Sequence, residues 1–362
     1  MIKTKIIAEA GVNHNGDLNL AFELIDAASA GGADYVKFQT YSANEVASSH
    51  VNKAPYQIKN TSENETQLEM LRRLQISRDD HLRLTEYCEL RNVKFLTTTC
   101  DIPSLKFVTG ELGCNLIKLG SAELTNGPLL LAAGMSDVDI ILSTGMATLR
   151  EIEEALSLIA FGSIYKKEPK YKKEYLDCLR YEQSWTSIRK KVALMHCTTE
   201  YPAKFSDTNL RVIDTLIKSF GLPVGYSDHT VGSTMAIGAV VMGATLLEKH
   251  ITVSRLLPGP DHSSSMEPDE FSQFVKDIRN IESGIGSGIR IPSADEVKNI
   301  PNVRKCLVAN RALSAGEVLG HEHISSKRHS DGITPMDYWD ILGRTLKQNV
   351  GTGQAITLED LL

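Results

Sequence analysis

Eight short apolar runs, recurring about every 34 residues between Ile6 and Leu247, predict a parallel (β/α)8 (TIM) barrel. Each run ends in small or polar residues and is followed by a helical pattern, the alternation that builds a parallel sheet. Past residue 284 the texture changes to glycines and then to an internal near-repeat, which predicts a second, small, mostly β domain. A doubly wound open sheet is the alternative for the first part.

The runs are Ile6–Ala8, Tyr35–Phe38, Lys94–Leu96, Leu116–Lys118, Ile140–Leu142, Val192–Met195, Val224–Tyr226 and Thr245–Leu247. After the first, Leu18, Ala21, Phe22 and Ile25 share one helical face, with Asp17 placed as N-cap and Gly31-Gly32 where the helix should stop. Two connections are long, residues 41–93 and 146–191. The second holds Tyr165-Lys166-Lys167-Glu168-Pro169-Lys170-Tyr171-Lys172-Lys173, basic with interleaved tyrosines, a texture that can bind nucleic acid. The admixture of Glu168, Glu174 and Asp177 favours a solvated excursion on the outer shell instead.

The expected boundaries are 1–283 for the barrel, 284–300 for a linker (Gly284-Ile285-Gly286-Ser287-Gly288, then Pro292-Ser293) and 301–362 for the second domain. Within that domain Arg311–Ile324 aligns with Gln348–Leu361 at an offset of 37 residues, pairing Gly316 with Gly353 and Glu322 with Glu359. Two strand–turn–strand copies in about 60 residues approach the lower limit for independent stability, so docking onto something larger is expected.

The chain has 362 residues, a formal net charge of −6, 42% hydrophobic and 23% charged residues, which is ordinary soluble globular composition. Mild acidity gives no footprint for nucleic acid or an anionic membrane surface. No apolar run approaches the roughly 18 residues of a membrane span. The opening MIKTKIIAEAG is too short in its apolar part for a signal peptide and meets Glu9 at once. Cys88, Cys100, Cys114, Cys178, Cys197 and Cys306 form no CxxC pair, as expected of free thiols in a reducing cytoplasm.

In such a barrel, chemistry sits at the C-terminal ends of the strands. Those ends carry Glu9, Lys37 with Gln39, Thr97-Thr98-Thr99, Lys118 with Ser121 and Glu123, Ser143-Thr144, His196 with Thr198, Ser227-Asp228-His229, and Glu248 with His250. Any one of these is ordinary, but their coincidence on all eight strands points to an active site. Two lysines with neighbouring hydroxyls make a site for phosphate plus carboxylate. His229 and His250, on adjacent strands, can share one divalent ion such as Mn²⁺, Fe²⁺, Co²⁺ or Zn²⁺. His14 could be a third ligand or could stabilise its own turn. Ser227-Asp228-His229 is not a hydrolase relay, because adjacent strand residues point to opposite faces.

Seven segments together resemble the sialic acid synthase family: Ile7–Gly16, Val36–Thr40, Leu142–Met146, His196–Pro202, Gly225–Thr230, Glu248–His250 and Gly259–His262. The resemblance runs in order along the whole chain and ends in an antifreeze-like (SAF, β-clip) domain. It implies condensation of phosphoenolpyruvate (PEP) with an acetamido-mannose-type sugar, a divalent metal and a domain-swapped homodimer. The metal implied is most commonly Mn²⁺, with Mg²⁺ or Co²⁺ as alternatives. Carried over by position, it assigns PEP contacts to Lys37, Thr98, Lys118, Ser121, Ser143 and Ser227, and metal ligation to His229 and His250. Gln39, Glu123, Tyr201 and Asp261 match sugar-binding positions. Glu9 matches an acidic residue that handles water or a proton, and Arg328 an arginine sent into the partner subunit's site.

The sequence departs from the family pattern at Thr97-Thr98-Thr99-Cys100, at Gly120 and Ala122, and at His329-Ser330 after Lys327-Arg328. None of these removes a charged group. The expected product is N-acetylneuraminate from N-acetylmannosamine, with legionaminate from a 2,4-diacetamido-trideoxymannose as the alternative. Ala54-Pro55-Tyr56-Gln57 and Gln67-Leu68-Glu69-Met70 resemble the bacterial surface-polysaccharide branch, which includes both. Competing readings are a 3-deoxy sugar phosphate synthase, which would lack the antifreeze-like tail, and a non-catalytic sugar- or ice-binding protein.

Overall fold

The computed structural model describes residues 3–61 and 64–362, so the first two residues of the N-terminal segment lie outside it. Eight parallel strands close a barrel in chain order. They are β1 (Lys5–Gly11), β2 (Tyr35–Thr40), β3 (Lys94–Thr99), β4 (Leu116–Leu119), β5 (Asp139–Ser143), β6 (Val192–Cys197), β7 (Val224–Asp228) and β8 (Leu246–His250). Each expected run is a strand, although the last begins at Leu246 rather than Thr245.

Inside the barrel, Ile7, Leu96, Ile141 and Met195 pack with Tyr35, Leu116 and Leu246 into an apolar plug. Gly225 leaves the necessary room: a Cβ there would fall 2.9 Å from Leu246 Cβ and 3.2 Å from Met195 Cε. The plug fills the barrel below, and the buried charged side chains of the strands' C-terminal ends gather above it. Outside the strands, helix Leu18–Ala30 buries Ala21, Leu24, Ile25 and Ala28 against the sheet. Asp17 caps it by accepting the Asn19 N–H, and Gly31 stands at its C-cap, as expected.

The first long excursion forms helices Ala43–Val46, Pro55–Asn60 and Gln67–Leu74 before helix Arg78–Leu90. The second is a helical outer-shell segment in which Lys166 pairs with Asp137, Lys167 with Glu174 and Lys172 with Glu154. Its basic residues are thus largely balanced locally, which favours the solvated excursion over nucleic-acid contact.

The chain divides into two compact units, Met1–Gly286 and Ser287–Leu362. The expected linker 284–300 is partly helical: Pro268–Ile285 runs into it, and Ala294–Val303 forms behind a Ser293/Glu296 capping box. In the second unit β9 (Lys305–Ala309) pairs antiparallel with β10 (Ile324–Arg328). Leu313 bridges Val350, so equivalent positions of the near-repeat face each other. The second copy is held by such isolated bridges rather than by full strands, around a core that includes Leu307, Leu319, Ile341, Leu346 and Ile356. Among the described residues no helix is long and apolar enough to cross a membrane, and all six cysteines are free.

Candidate active site

A cavity of about 400 Å³ opens at the C-terminal ends of the barrel strands, and every barrel residue to which the family resemblance assigns a role lines it, whereas Thr97, Thr99, Thr144, His196 and Thr198 do not. At its base lie two lysines and two carboxylates. Glu248 accepts from Lys118 Nζ through both oxygens, at 2.6 and 2.8 Å. Its Oε2 is also 3.5 Å from Lys37 Nζ, and Ser227 Oγ donates to its Oε1 at 2.7 Å. Lys37 Nζ donates to Thr98 Oγ1 at 2.9 Å and lies 2.7 Å from Glu9 Oε2. That last approach is off the hydrogen-bond axis, and Glu9 Oε2 is buried without a donor. Alternation explains the gathering: Glu9 faces Lys37 across β1–β2, Thr98 faces Lys118 across β3–β4, and Ser227 faces Glu248 across β7–β8.

All four charges are buried, and their protonation follows from who faces whom. Burial drives the Glu9 carboxyl up to about 7, against the opposing pull of Lys37. Burial also opposes ionisation of Glu248, but Lys118 and Lys37 override it and hold that carboxyl well below its ordinary value. For Lys37, Glu248 and Glu9 more than offset burial and raise its value; for Lys118 burial prevails and lowers it. The base of the cavity therefore holds one firmly ionised carboxylate and one carboxyl poised near neutrality.

Beside this cluster stand the two imidazoles, ring centroids 5.6 Å apart. His229 Nδ1 lies 2.7 Å from Thr198 O, which fixes the proton on Nδ1 and leaves Nε2 as the acceptor nitrogen, 3.1 Å from Ser227 Oγ. His250 Nδ1 is buried with no hydrogen-bond partner, since Asp261 Oδ2 is 3.9 Å away. Burial lowers both histidines, His229 to about 4, so both are neutral and ligand-competent at pH 7. The orphaned ring nitrogen of His250, next to an imidazole whose unprotonated Nε2 meets only the Ser227 hydroxyl, fits a divalent metal. Among the described residues no group of three or more His, Cys, Asp or Glu is arranged to hold one, so water or substrate would complete its shell. His14 is not part of this pair: its Nδ1 accepts the Gly16 N–H and it serves its own turn. Asp228 turns away from His229, as strand alternation requires, and pairs with Lys249.

The upper cavity is less charged. Tyr201 packs at a tilt against His229, with 4.1 Å between ring centroids, and against Tyr56 at 5.0 Å. Asp261 is buried and pushed up to about 6, while Glu123, raised by burial, accepts from Asn126 Nδ2 at 2.6 Å. Ser121 Oγ accepts the Gly145 N–H at 3.1 Å and lies 3.2 Å from Cys197 Sγ. Glycine is needed at 145, where a Cβ would come within 2.8 Å of Thr199, Ser121 and Cys197 side chains. Gln39 and Ser143 line the wall, and Ala54, Ala122 and the exposed Met146 shape the rim. Cys100, at the departure from the family pattern, also lines the cavity; burial pushes its thiol up to about 12, so it is unreactive. Arg328 lies in the second unit, on the exposed end of β10.

Sequence reasoning gave no role to Glu248 or Tyr56. Glu248 was legible in part, because a residue two before His250 on a strand shares its face. Its partner Lys118 is 130 residues away, which no local pattern announces.

The fold and the cavity define an enzyme of the (β/α)8 class with its site at the strand ends. The NeuB family model matches residues 24–290 and the SAF domain model residues 304–362. The chain therefore belongs to the NeuB, or sialic acid synthase, family and carries a C-terminal SAF domain. It is 42% identical to N,N'-diacetyllegionaminic acid synthase of Campylobacter jejuni, over 96% of this chain and 97% of that one. It is 39% identical to the enzyme of the same name from Legionella pneumophila, over 98% and 94%. Among solved structures it resembles N-acetylneuraminic acid synthetase from Leptospira borgpetersenii, with TM-score 0.66, 33% identity, and coverage of 82% and 90%.

Proposed function

We propose that this enzyme condenses PEP with 2,4-diacetamido-2,4,6-trideoxymannose, forming N,N'-diacetyllegionaminate and inorganic phosphate. The observation that carries the PEP assignment is the buried Lys37–Lys118 pair at the base of the cavity, within reach of both a carboxylate and a phosphate. The sugar assignment reverses the order expected from sequence. It is supported by the names of the relatives at 42% and 39% identity, and by the rim. Ala54, Tyr56, Ala122 and Met146 offer apolar surface to a 6-methyl and an extra acetyl group. Lys37 and Lys118 are the only Lys or Arg among the described residues lining the cavity, and both are taken up by PEP in this reading, so a phosphate on the sugar would find no further counter-charge.

The methylene carbon of PEP attacks the aldehyde carbon of the open-chain sugar, and the former enol carbon becomes oxocarbenium-like. Lys37 and Lys118 hold the PEP carboxylate and phosphate in attack geometry while charge redistributes. Glu9, whose Oε2 faces the cluster 2.7 Å from Lys37 Nζ, steers water onto the oxocarbenium carbon and takes its proton. Phosphate then leaves from the tetrahedral intermediate with the bridging oxygen, giving the 2-keto acid. A divalent metal held by His229 and His250, Mn²⁺ in the first instance, would supply Lewis-acid polarisation of the aldehyde oxygen. Tyr201, packed against His229, borders the sugar's place.

The test is phosphate release from PEP and Mn²⁺ with each sugar in turn. The diacetamido sugar is expected to give a kcat/KM at least tenfold above N-acetylmannosamine. A preference for N-acetylmannosamine would restore the first expectation, and loss of activity in excess chelator checks the metal.

A further inference from the structure

We propose that Asp228 and Lys249 are positioning residues: their buried ion pair, behind the catalytic wall, sets the separation of His229 and His250 and thereby the affinity for a divalent cation. This rests on the reading of the two imidazoles as ligands of one metal.

The two residues are register partners across β7 and β8, and each is the chain neighbour of one histidine. Asp228 Oδ2 lies 3.0 Å from Lys249 Nζ, with side chains 0% and 2% exposed. Strand alternation sends them to the face opposite the imidazoles. Lys249 lines a separate cavity on the outer side, whereas Glu248 and His250 line the catalytic one. The pair also grips the segment just past His229: Asp228 Oδ1 accepts from Thr230 N at 2.9 Å and Thr230 Oγ1 at 2.7 Å, and Lys249 Nζ donates to Thr230 O at 2.5 Å. His229 is thus bracketed on both sides by bonds that end on the strand carrying His250.

The condensation uses neither charge. Stability is a weak reason for such a pair, because desolvation cancels much of its attraction and well-packed apolar residues often serve as well. Directional bonds do what apolar packing does not: they fix strand register and side-chain aim. Two imidazoles sharing one ion need that, since metal–nitrogen bonds of about 2.0–2.1 Å tolerate little error.

The experiment is Mn²⁺ titration by calorimetry of the full chain beside the Asp228→Asn/Lys249→Met double variant, with melting temperatures measured in parallel. Asn keeps an acceptor for Thr230, and Met keeps the length of the lysine stem. The expected result is a melting temperature within a few degrees of the parent, Mn²⁺ affinity at least tenfold weaker, and kcat partly restored at high Mn²⁺. Unchanged Mn²⁺ affinity in the folded variant overturns the proposal while leaving the metal reading intact. A parent that binds no more Mn²⁺ than His229→Ala/His250→Ala overturns both. If the double variant does not fold, Asp228→Glu, which keeps the charge and lengthens the pair, is read by the same criteria.

Discussion

Glu248 grips the ammonium of Lys118 with both carboxylate oxygens, at 2.6 and 2.8 Å, at the base of the cavity where an anion would bind. The two lysines are therefore already matched by Glu248 and Glu9, and on the proposed function PEP would have to take over contacts that these carboxylates hold. Glu248→Gln removes that competitor while keeping its shape. PEP is expected to bind this variant several-fold more tightly, with kcat reduced because Lys118 loses its anchor. Calorimetric titration with PEP checks it, and weaker binding would mean that Glu248 assists the anion rather than competes with it.

Lys118→Ala acts in the opposite direction. It removes a cation from the PEP end and leaves Glu248 buried with one fewer partner. Breaking one side of a buried pair costs about 3–5 kcal/mol, so PEP affinity should fall by roughly two to four orders of magnitude. The sugar's KM should change little. A raised sugar KM with an unchanged PEP KM would show that the two ends of the cavity are assigned backwards.

The barrel was legible because its strands are short apolar runs at a regular interval, and Lys37, Lys118, His229 and His250 because each stands at or just past such a run's end. What stayed hidden was lateral. Tyr56 reaches Tyr201 from helix Pro55–Asn60, inside an excursion whose path no periodicity fixes. The bond from Glu248 to Lys118 spans the barrel interior, and the turn of Asp228 toward Lys249 follows from alternation only once their strands are known to be neighbours. In the second unit the near-repeat announced the Leu313–Val350 pairing, but its short bridges gave no strand-length pattern to read.

The pH dependence follows from Glu9. Burial raises its carboxyl to about 7, and as the base it must be ionised. The acid limb of kcat/KM is therefore expected near pH 7 rather than near the ordinary 4.5, and Glu9→Gln should lose that limb and most of the rate. The stability consequence has a definite sign. A carboxyl raised in the folded state stabilises it below its unfolded value of 4.5, and this contribution disappears as pH rises through about 7. Glu9→Gln should thus gain melting temperature over the parent at pH 8 and gain little or none at pH 4. An acid limb that survives the substitution assigns the base elsewhere.

Arg328, exposed on β10, is assigned by the family resemblance to a partner subunit's site. Chains carrying Arg328→Ala are mixed with chains carrying Lys118→Ala, each of which is expected to be inactive alone. If the arginine crosses between protomers, one site of each mixed dimer carries neither defect and activity partly returns. Mixed dimers that form and stay inactive would rule the crossing out.

The most direct measurement follows the bridging oxygen of PEP. With ¹⁸O placed between the enol carbon and phosphorus, attack of Glu9-steered water on carbon sends the label into inorganic phosphate, leaving none in the nine-carbon keto acid. Mass spectrometry of both products after one turnover is expected to find the label wholly in phosphate. Label retained in the keto acid would mean that water attacks phosphorus, and would contradict the roles assigned to Glu9, Lys37 and Lys118.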